Sequence, residues 1–140
     1  MRKVLLADDE AYVTSVLAAK LASRFDDVII ATDGDEAFDL AAAEGPVLVI
    51  SDYQMPGCDG YTLATRLHDD PRTGNIPILL LTARGHLLSD EQLSRTNIRK
   101  LLAKPFSVRE VIAIIDELLG TIRPAATIAA ATSNTEARAA

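Results

Sequence analysis

Four short apolar runs punctuate the chain without polar alternation: Val4 to Ala7, Val28 to Ala31, Val47 to Ile50 and Ile78 to Leu81. Runs of this length, made largely of Val, Ile and Leu, suit strands buried on both faces. Ile98 to Ala103 is a fifth candidate; Arg99 and Lys100 interrupt it, and charge of that kind is tolerated best at a sheet edge. Between the runs the spacing becomes helical. Val13, Val16, Leu17 and Leu21 form one stripe on a helix of about four turns. Asp33 can cap a second helix, with Glu36 reaching back and Ala37, Leu40 and Ala41 as its stripe, until Gly45-Pro46 ends it. A third starts near Gly60, carries Tyr61, Leu63, Ala64 and Leu67, and stops before Asp70-Pro71, because proline disfavours helix in the residue before it. The last runs from a Ser107/Glu110 capping box through Val108, Val111, Ile112, Ile115, Leu118 and Leu119 to Gly120. Gly85 to Asn97 carries only a thin stripe, Leu87, Leu88 and Leu93, with Ser89 and Gln92 able to form a capping box, and predicts a short or mobile helix.

Strands alternating with helices imply an α/β fold: a parallel sheet wound on both sides by right-handed crossovers. The pattern assigns residues 1–120 to one domain and 121–140 to a tail. In that tail twelve of twenty residues are Ala or Thr, with no aromatic, so little apolar area offsets the entropy of ordering it. The expectation is a disordered tail or linker, with an alanine-rich docking helix as the alternative. Composition narrows the function. A net charge of minus six argues against a nucleic-acid or anionic-membrane surface, since both need clustered Lys and Arg. No strictly apolar run exceeds five residues, so neither a membrane span nor a signal peptide is expected. The lone Cys58 forms no internal disulfide, which suits a reducing, cytoplasmic setting.

In an open parallel sheet the binding crevice lies beyond the carboxyl ends of the strands. The first run ends in Asp8-Asp9-Glu10, the third in Ser51-Asp52, the fourth in Thr82 and the fifth in Lys104. Carboxylates, a hydroxyl and an ammonium should therefore meet at one edge. Taken singly, Asp8 and Asp9 read as a helix N-terminus, Thr82 as a strand-end turn and Lys104 as a solvated cation; only the joint placement favours chemistry. Two carboxylates about 4 Å apart at an effective dielectric near 20 repel by roughly 4 kcal/mol, which something must relieve. Oxygen donors without imidazole or thiolate select a hard cation, and a few carboxylates suit Mg2+, which keeps waters and accepts phosphate oxygens. An aspartate at such a site can attack phosphorus. Asp52, central among the strands, is best placed, with Lys104 and Thr82 suited to phosphoryl oxygens.

The segments Val4-Leu5-Leu6-Ala7-Asp8-Asp9-Glu10, Ser51-Asp52-Tyr53-Gln54-Met55-Pro56-Gly57, the glycine of Asp59-Gly60, Leu81-Thr82-Ala83 and Lys104-Pro105-Phe106 together resemble the receiver domain of two-component response regulators, similar to the single-domain chemotaxis type. The resemblance covers about residues 2–119. It implies a flavodoxin-like, doubly wound (βα)5 fold with strand order 2-1-3-4-5. It implies Asp52 as phosphoacceptor, Asp8, Asp9, Asp52 and the Gln54 backbone carbonyl as Mg2+ ligands, Thr82 as switch hydroxyl, Lys104 as the family lysine, and a cis Lys104-Pro105 peptide. The implied donor is a sensor histidine kinase or phosphotransfer protein. The implied output is a downstream effector protein that binds the fourth helix, fifth strand and fifth helix, with the chain a monomer or a weak phosphorylation-dependent dimer. A receiver catalyses only its own phosphorylation and dephosphorylation. The chain departs from the family at Leu101, which stands at the aromatic switch position and makes no hydroxyl-bearing swing. Gln54 and Arg84 border the water route in the family and are expected to set phosphate lifetime, Arg84 being equally readable as an exposed loop cation.

Competing readings are a haloacid-dehalogenase-like Mg2+-dependent phosphatase, against which Gln54 stands where the general acid would be, and a flavodoxin-like or nucleotide module, against which no glycine-rich loop follows the first strand. A non-phosphorylated docking receiver is the third, and the complete acidic set argues against it. Cys58 is expected as an incidental exposed thiol, His68 and His86 as surface histidines, and Tyr12, Tyr53 and Tyr61 either border the site or pack on helices. A stand-alone receiver and a piece of a longer regulator read alike.

Overall fold

The chain places its apolar runs side by side. In the computed structural model, which describes residues 2–83 and 88–120, the elements in order are β1 (Lys3–Ala7), α1 (Ala11–Leu21), β2 (Asp27–Ala31), α2 (Gly34–Glu44), β3 (Leu48–Asp52), α3 (Gly60–Asp69), β4 (Ile78–Thr82), α4 (Asp90–Ser94), β5 (Ile98–Ala103) and α5 (Val108–Leu119). The expectations for Arg84, His86 and the 121–140 tail lie outside the described residues. The strands form one parallel five-stranded sheet in the order β2-β1-β3-β4-β5, the expected flavodoxin-like topology. The chain divides into two units, residues 1–108 and 109–140, and nearly all of α5 belongs to the second.

Strand alternation explains the core. Leu5, Ala7, Val49, Ile78 and Leu80 point to one face and pack in a cluster with Ala37 and Ala41 of α2 and Leu63, Ala64 and Leu67 of α3. Val4, Leu6, Leu48, Ile50, Leu79 and Leu81 alternate with them and are equally buried, as are Leu17 and Leu21 of α1. Every residue of β3 and β4 is buried, which is why these runs show no polar alternation. Each fully buried leucine or isoleucine contributes about 1.5–3 kcal/mol relative to exposure.

Helix ends follow their capping chemistry. The Asp33 carboxylate accepts from Glu36 N–H at 2.7 Å, while the Glu36 carboxylate accepts from Thr32 N–H at 2.8 Å, one residue earlier than a capping box requires. Gly45 closes α2 in the left-handed conformation, φ 60°. Asp59 caps α3 through Thr62 N–H, and α3 stops before Pro71 as the sequence predicts. The Ser89/Gln92 capping box forms in full around α4, which has five residues and no buried side chain.

The stripe expected on α1 is only partly right. Thr14 is buried in place of Val16, which is 37% exposed, and the helix has eleven residues, about three turns. The Thr14 hydroxyl donates to the Ala11 carbonyl at 2.9 Å, so its burial leaves no polar group unpaired. At the β5 edge the register slips between Ile78 and Leu79, which pair with Ile98 and Lys100, so Arg99 bulges out. Among the described residues no helix is long and apolar enough to cross a membrane.

One close approach fixes the loop above β3. Gly60 N–H donates to the Tyr53 carbonyl at 2.7 Å, and a Cβ at Gly60 would lie 2.5 Å from the Asp52 carbonyl oxygen and 2.7 Å from Leu80 Cδ1. Backbone cannot yield there as a flexible side chain would. Gly60→Ala is expected to cost about 1–3 kcal/mol, read as a lowered urea midpoint with unchanged slope; an unaltered midpoint would show that the loop relaxes freely.

Candidate functional site

Parallel strands that end level with one another bring their next residues together. Ala7 pairs with both Ala31 and Ser51, Asp52 with Leu81, and Thr82 with Ala103. Hydrogen bonding continues one step past the strands: Asp8 N–H donates to the Ala31 carbonyl at 3.1 Å, Tyr53 N–H to Leu81 at 2.8 Å and Lys104 N–H to Thr82 at 2.8 Å. Asp8, Asp52, Thr82 and Lys104 thus leave the sheet at one edge. β3 runs two residues beyond the apolar run, so Asp52 is the last residue of the strand rather than the second after it.

Asp8, Asp52 and Thr82 are buried, at 1%, 6% and 2% exposure, whereas Asp9 is exposed. One carboxylate oxygen from each of Asp8, Asp9 and Asp52 lies within 4.8 Å of the others. Lys104 Nζ is 2.9 Å from Asp52 Oδ1 and 3.8 Å from Glu10 Oε1. The Lys104-Pro105 peptide is cis. Gln54 is exposed in the loop after Asp52, and Leu101 is a partly buried residue packed on the core cluster.

The electrostatics are tense. Asp8 Oδ1 accepts Glu10 N–H at 2.9 Å, but Asp8 Oδ2 is buried and has no hydrogen-bond partner. Burial lifts the Asp8 carboxyl above its ordinary range; the Glu10 N–H opposes this, the Asp52 charge adds to it, Lys104 counters and Glu10 adds again. At Lys104 burial works to lower the ammonium, but the Asp52 hydrogen bond and the charges of Asp52, Asp8 and Glu10 outweigh it, so the net shift is upward and the side chain stays a cation. An unpaired buried carboxylate oxygen facing two further carboxylates, with no sulfur or imidazole among them, is a donor set that fits a hard divalent cation such as Mg2+.

Of the remaining candidates, Tyr12 is 80% exposed and lines an open cleft of about 330 Å³ together with Glu10, Lys104, Pro105 and Phe106. Tyr53 packs partly buried on the core cluster, and the Tyr61 hydroxyl donates to the Gln92 carbonyl at 3.3 Å. Cys58, expected to be exposed, is half-buried: a Cβ on Gly34 would collide with its carbonyl oxygen and sulfur, and Arg66 Nη1 lies 3.5 Å from the sulfur. His68 is exposed as expected, with Nδ1 2.8 Å from Asn97 Oδ1. Sequence reasoning gave Glu10 no task of its own. Its contact with Lys104 spans 94 positions, and adjacency to Asp8-Asp9 was the only available signal.

The model of the response regulator receiver domain matches residues 4–116. The DNA-binding dual master transcriptional regulator RpaA of Synechocystis sp. is 34% identical over 119 residues, covering 85% of this chain and 49% of that protein. The chain spans about half the length of the curated relatives it matches. The receiver domain of sensor histidine kinase PA1611 from Pseudomonas aeruginosa, solved with magnesium coordinated in its active site cleft, is similar at 26% identity and a TM-score of 0.73 over 85% of this chain and 98% of that one. The chemotaxis response regulator CheY4 of Vibrio cholerae shares the fold, at 24% identity and a TM-score of 0.76 over 84% and 98%. With the topology and the acidic edge in place, the match over residues 4–116 shows that this chain belongs to the response regulator receiver domain family of two-component signalling.

Proposed function

We propose that the chain accepts a phosphoryl group on Asp52 from a histidine kinase or phosphotransfer protein, and that the modification changes which partner it binds. The observation that carries this reading is the meeting of Asp8, Asp9 and Asp52 within 4.8 Å, with Lys104 Nζ on Asp52 Oδ1 at 2.9 Å. Asp8, Asp9, Asp52 and the Gln54 backbone carbonyl would hold Mg2+. When bound, that ion neutralises charge on the acidic edge and on phosphoryl oxygens.

The chain's own groups supply the rest. An Asp52 carboxylate oxygen attacks phosphorus; the P–N bond to the donor histidine breaks, and the ring, protonated on its other nitrogen, leaves with the bonding pair as neutral imidazole. Lys104, now bound to Asp52 Oδ1, would transfer to a phosphoryl oxygen, and the hydroxyl of Thr82, the buried last residue of β4, would donate to another. The acceptor's charge rises from one to about two negative units, which gives both groups a differential attraction for the modified state. Hydrolysis reverses the change, so the chain catalyses only its own phosphorylation and dephosphorylation. Gln54 and Arg84 are proposed to tune how long the phosphate persists. Leu101 has no hydroxyl with which to follow Thr82, so output is proposed to run through the loops and the α4 and β5 region without aromatic gating. The family match sets aside the dehalogenase-like phosphatase reading.

Incubation with phosphoramidate and Mg2+, followed by intact-mass measurement, should give a single phosphate adduct that disappears in Asp52→Asn. An adduct that persists in that variant would move the acceptor elsewhere.

Asp8 provides an orthogonal test. Its folded-state pKa is raised, so the fold favours the neutral acid; stability from this group is present at low pH and is lost as pH rises through the folded pKa. At neutral pH without metal, Asp8→Asn should therefore raise stability by about 0.5–2 kcal/mol in urea unfolding. Millimolar Mg2+ should stabilise the wild type and not the variant. A less stable variant, or an equal response to Mg2+, would contradict the arrangement.

A further inference from the structure

Glu10 occupies the N-cap of α1, yet its side chain makes no cap hydrogen bond. Glutamate is a weak cap, and here its carboxylate turns instead to Lys104, 3.8 Å from Nζ. Lys104 is in turn 2.9 Å from Asp52 Oδ1, so two consecutive short contacts separate the Glu10 carboxylate from the acceptor oxygen. The Glu10 side chain is 63% exposed, and Glu10 and Lys104 line the same open cleft. The lysine that touches the acceptor oxygen thus also touches this charge, so a group departing from phosphorus at Asp52 does so in its field. The backbone of Glu10 has separate duties, its N–H on Asp8 Oδ1 and its carbonyl on Thr14 N–H. A change at the carboxylate alone leaves those in place.

We propose that Glu10 selects among phosphodonors by the charge of the departing group. This rests on the reading of Asp52 as phosphoacceptor. In each reaction a bond forms between an Asp52 oxygen and phosphorus. From acetyl phosphate the acyl P–O bond breaks and acetate leaves as an anion. From phosphoramidate the P–N bond breaks and ammonia leaves neutral after taking a proton. An anion one lysine contact from the acceptor raises the barrier to the first departure and not to the second, and the same holds for an acyl phosphate against an N-phosphoryl donor whose leaving group departs neutral. Glu10 also draws on Lys104, and losing it would let the ammonium settle more firmly on Asp52. That effect slows both donors alike and cancels in their ratio. The ratio of rates therefore isolates the charge at position 10 from any general disturbance of the site.

The test uses the full chain with magnesium chloride, acetyl phosphate or phosphoramidate as sole donor, and initial rates of phosphate adduct formation by intact mass. Glu10→Gln should raise the acetyl phosphate to phosphoramidate rate ratio about three- to tenfold at low ionic strength, and less at high salt. Glu10→Asp, which keeps the charge, should hold the wild-type ratio. Equal scaling of both rates in Glu10→Gln, or the same ratio change in Glu10→Asp, would overturn the selection by Glu10 while leaving Asp52 as acceptor. Absence of any adduct on the wild type from both donors would overturn the acceptor reading and this proposal with it.

Discussion

Like charges held together at the rim of a dry sheet repel, and the upper edge of this molecule is arranged around that repulsion. Asp8 is almost wholly removed from water and keeps one oxygen without a partner. Lys104 answers the Asp52 charge directly but reaches Asp8 only through space. A buried polar atom left unpaired costs about 1–3 kcal/mol, so the fold tolerates a local deficit at its acidic edge. Free energy from the apolar strands below offsets it.

That tolerance depends on rigidity. Asp52 ends a strand buried along its whole length, with β1 on one side and β4 on the other. Gly60 presses against the Asp52 backbone from above. Asp52, in the strand, and Asp8, tied to the sheet by its N–H on the Ala31 carbonyl, are consequently held by the sheet, which is how these two groups that would otherwise separate remain neighbours. Asp9 and Gln54, on the exposed side, are the members of the set with freedom to adjust.

How much of this could be read from the chain varies with the kind of signal. Fully buried strands announce themselves as unbroken apolar runs, and level strand ends then place Asp8, Asp52, Thr82 and Lys104 at one edge by geometry alone. The end of β3 is hidden from the pattern because hydrophobicity stops at Ile50, whereas backbone pairing with β4 does not depend on the side chain and continues through Asp52. On α1, periodicity favoured Val16, but a threonine that bonds its own helix backbone can be buried without loss, and Thr14 took the inner place. The half-burial of Cys58 followed from the missing side chain of Gly34, far away in sequence. Glu10 was legible as one more acid and illegible as a neighbour of Lys104, because one sequence carries no record of which distant residues meet.

α4 shows what a sparing attachment permits. With five residues and no fully buried side chain, it is held by the partly buried Leu93 packed on the core cluster and by a hydroxyl from Tyr61 on one of its carbonyls. α3 buries Leu63, Ala64 and Leu67 where α4 buries no residue fully, so a perturbation of about 1–3 kcal/mol is a larger share of what seats α4 than of what seats α3. A segment so lightly seated yields before the frame around it does.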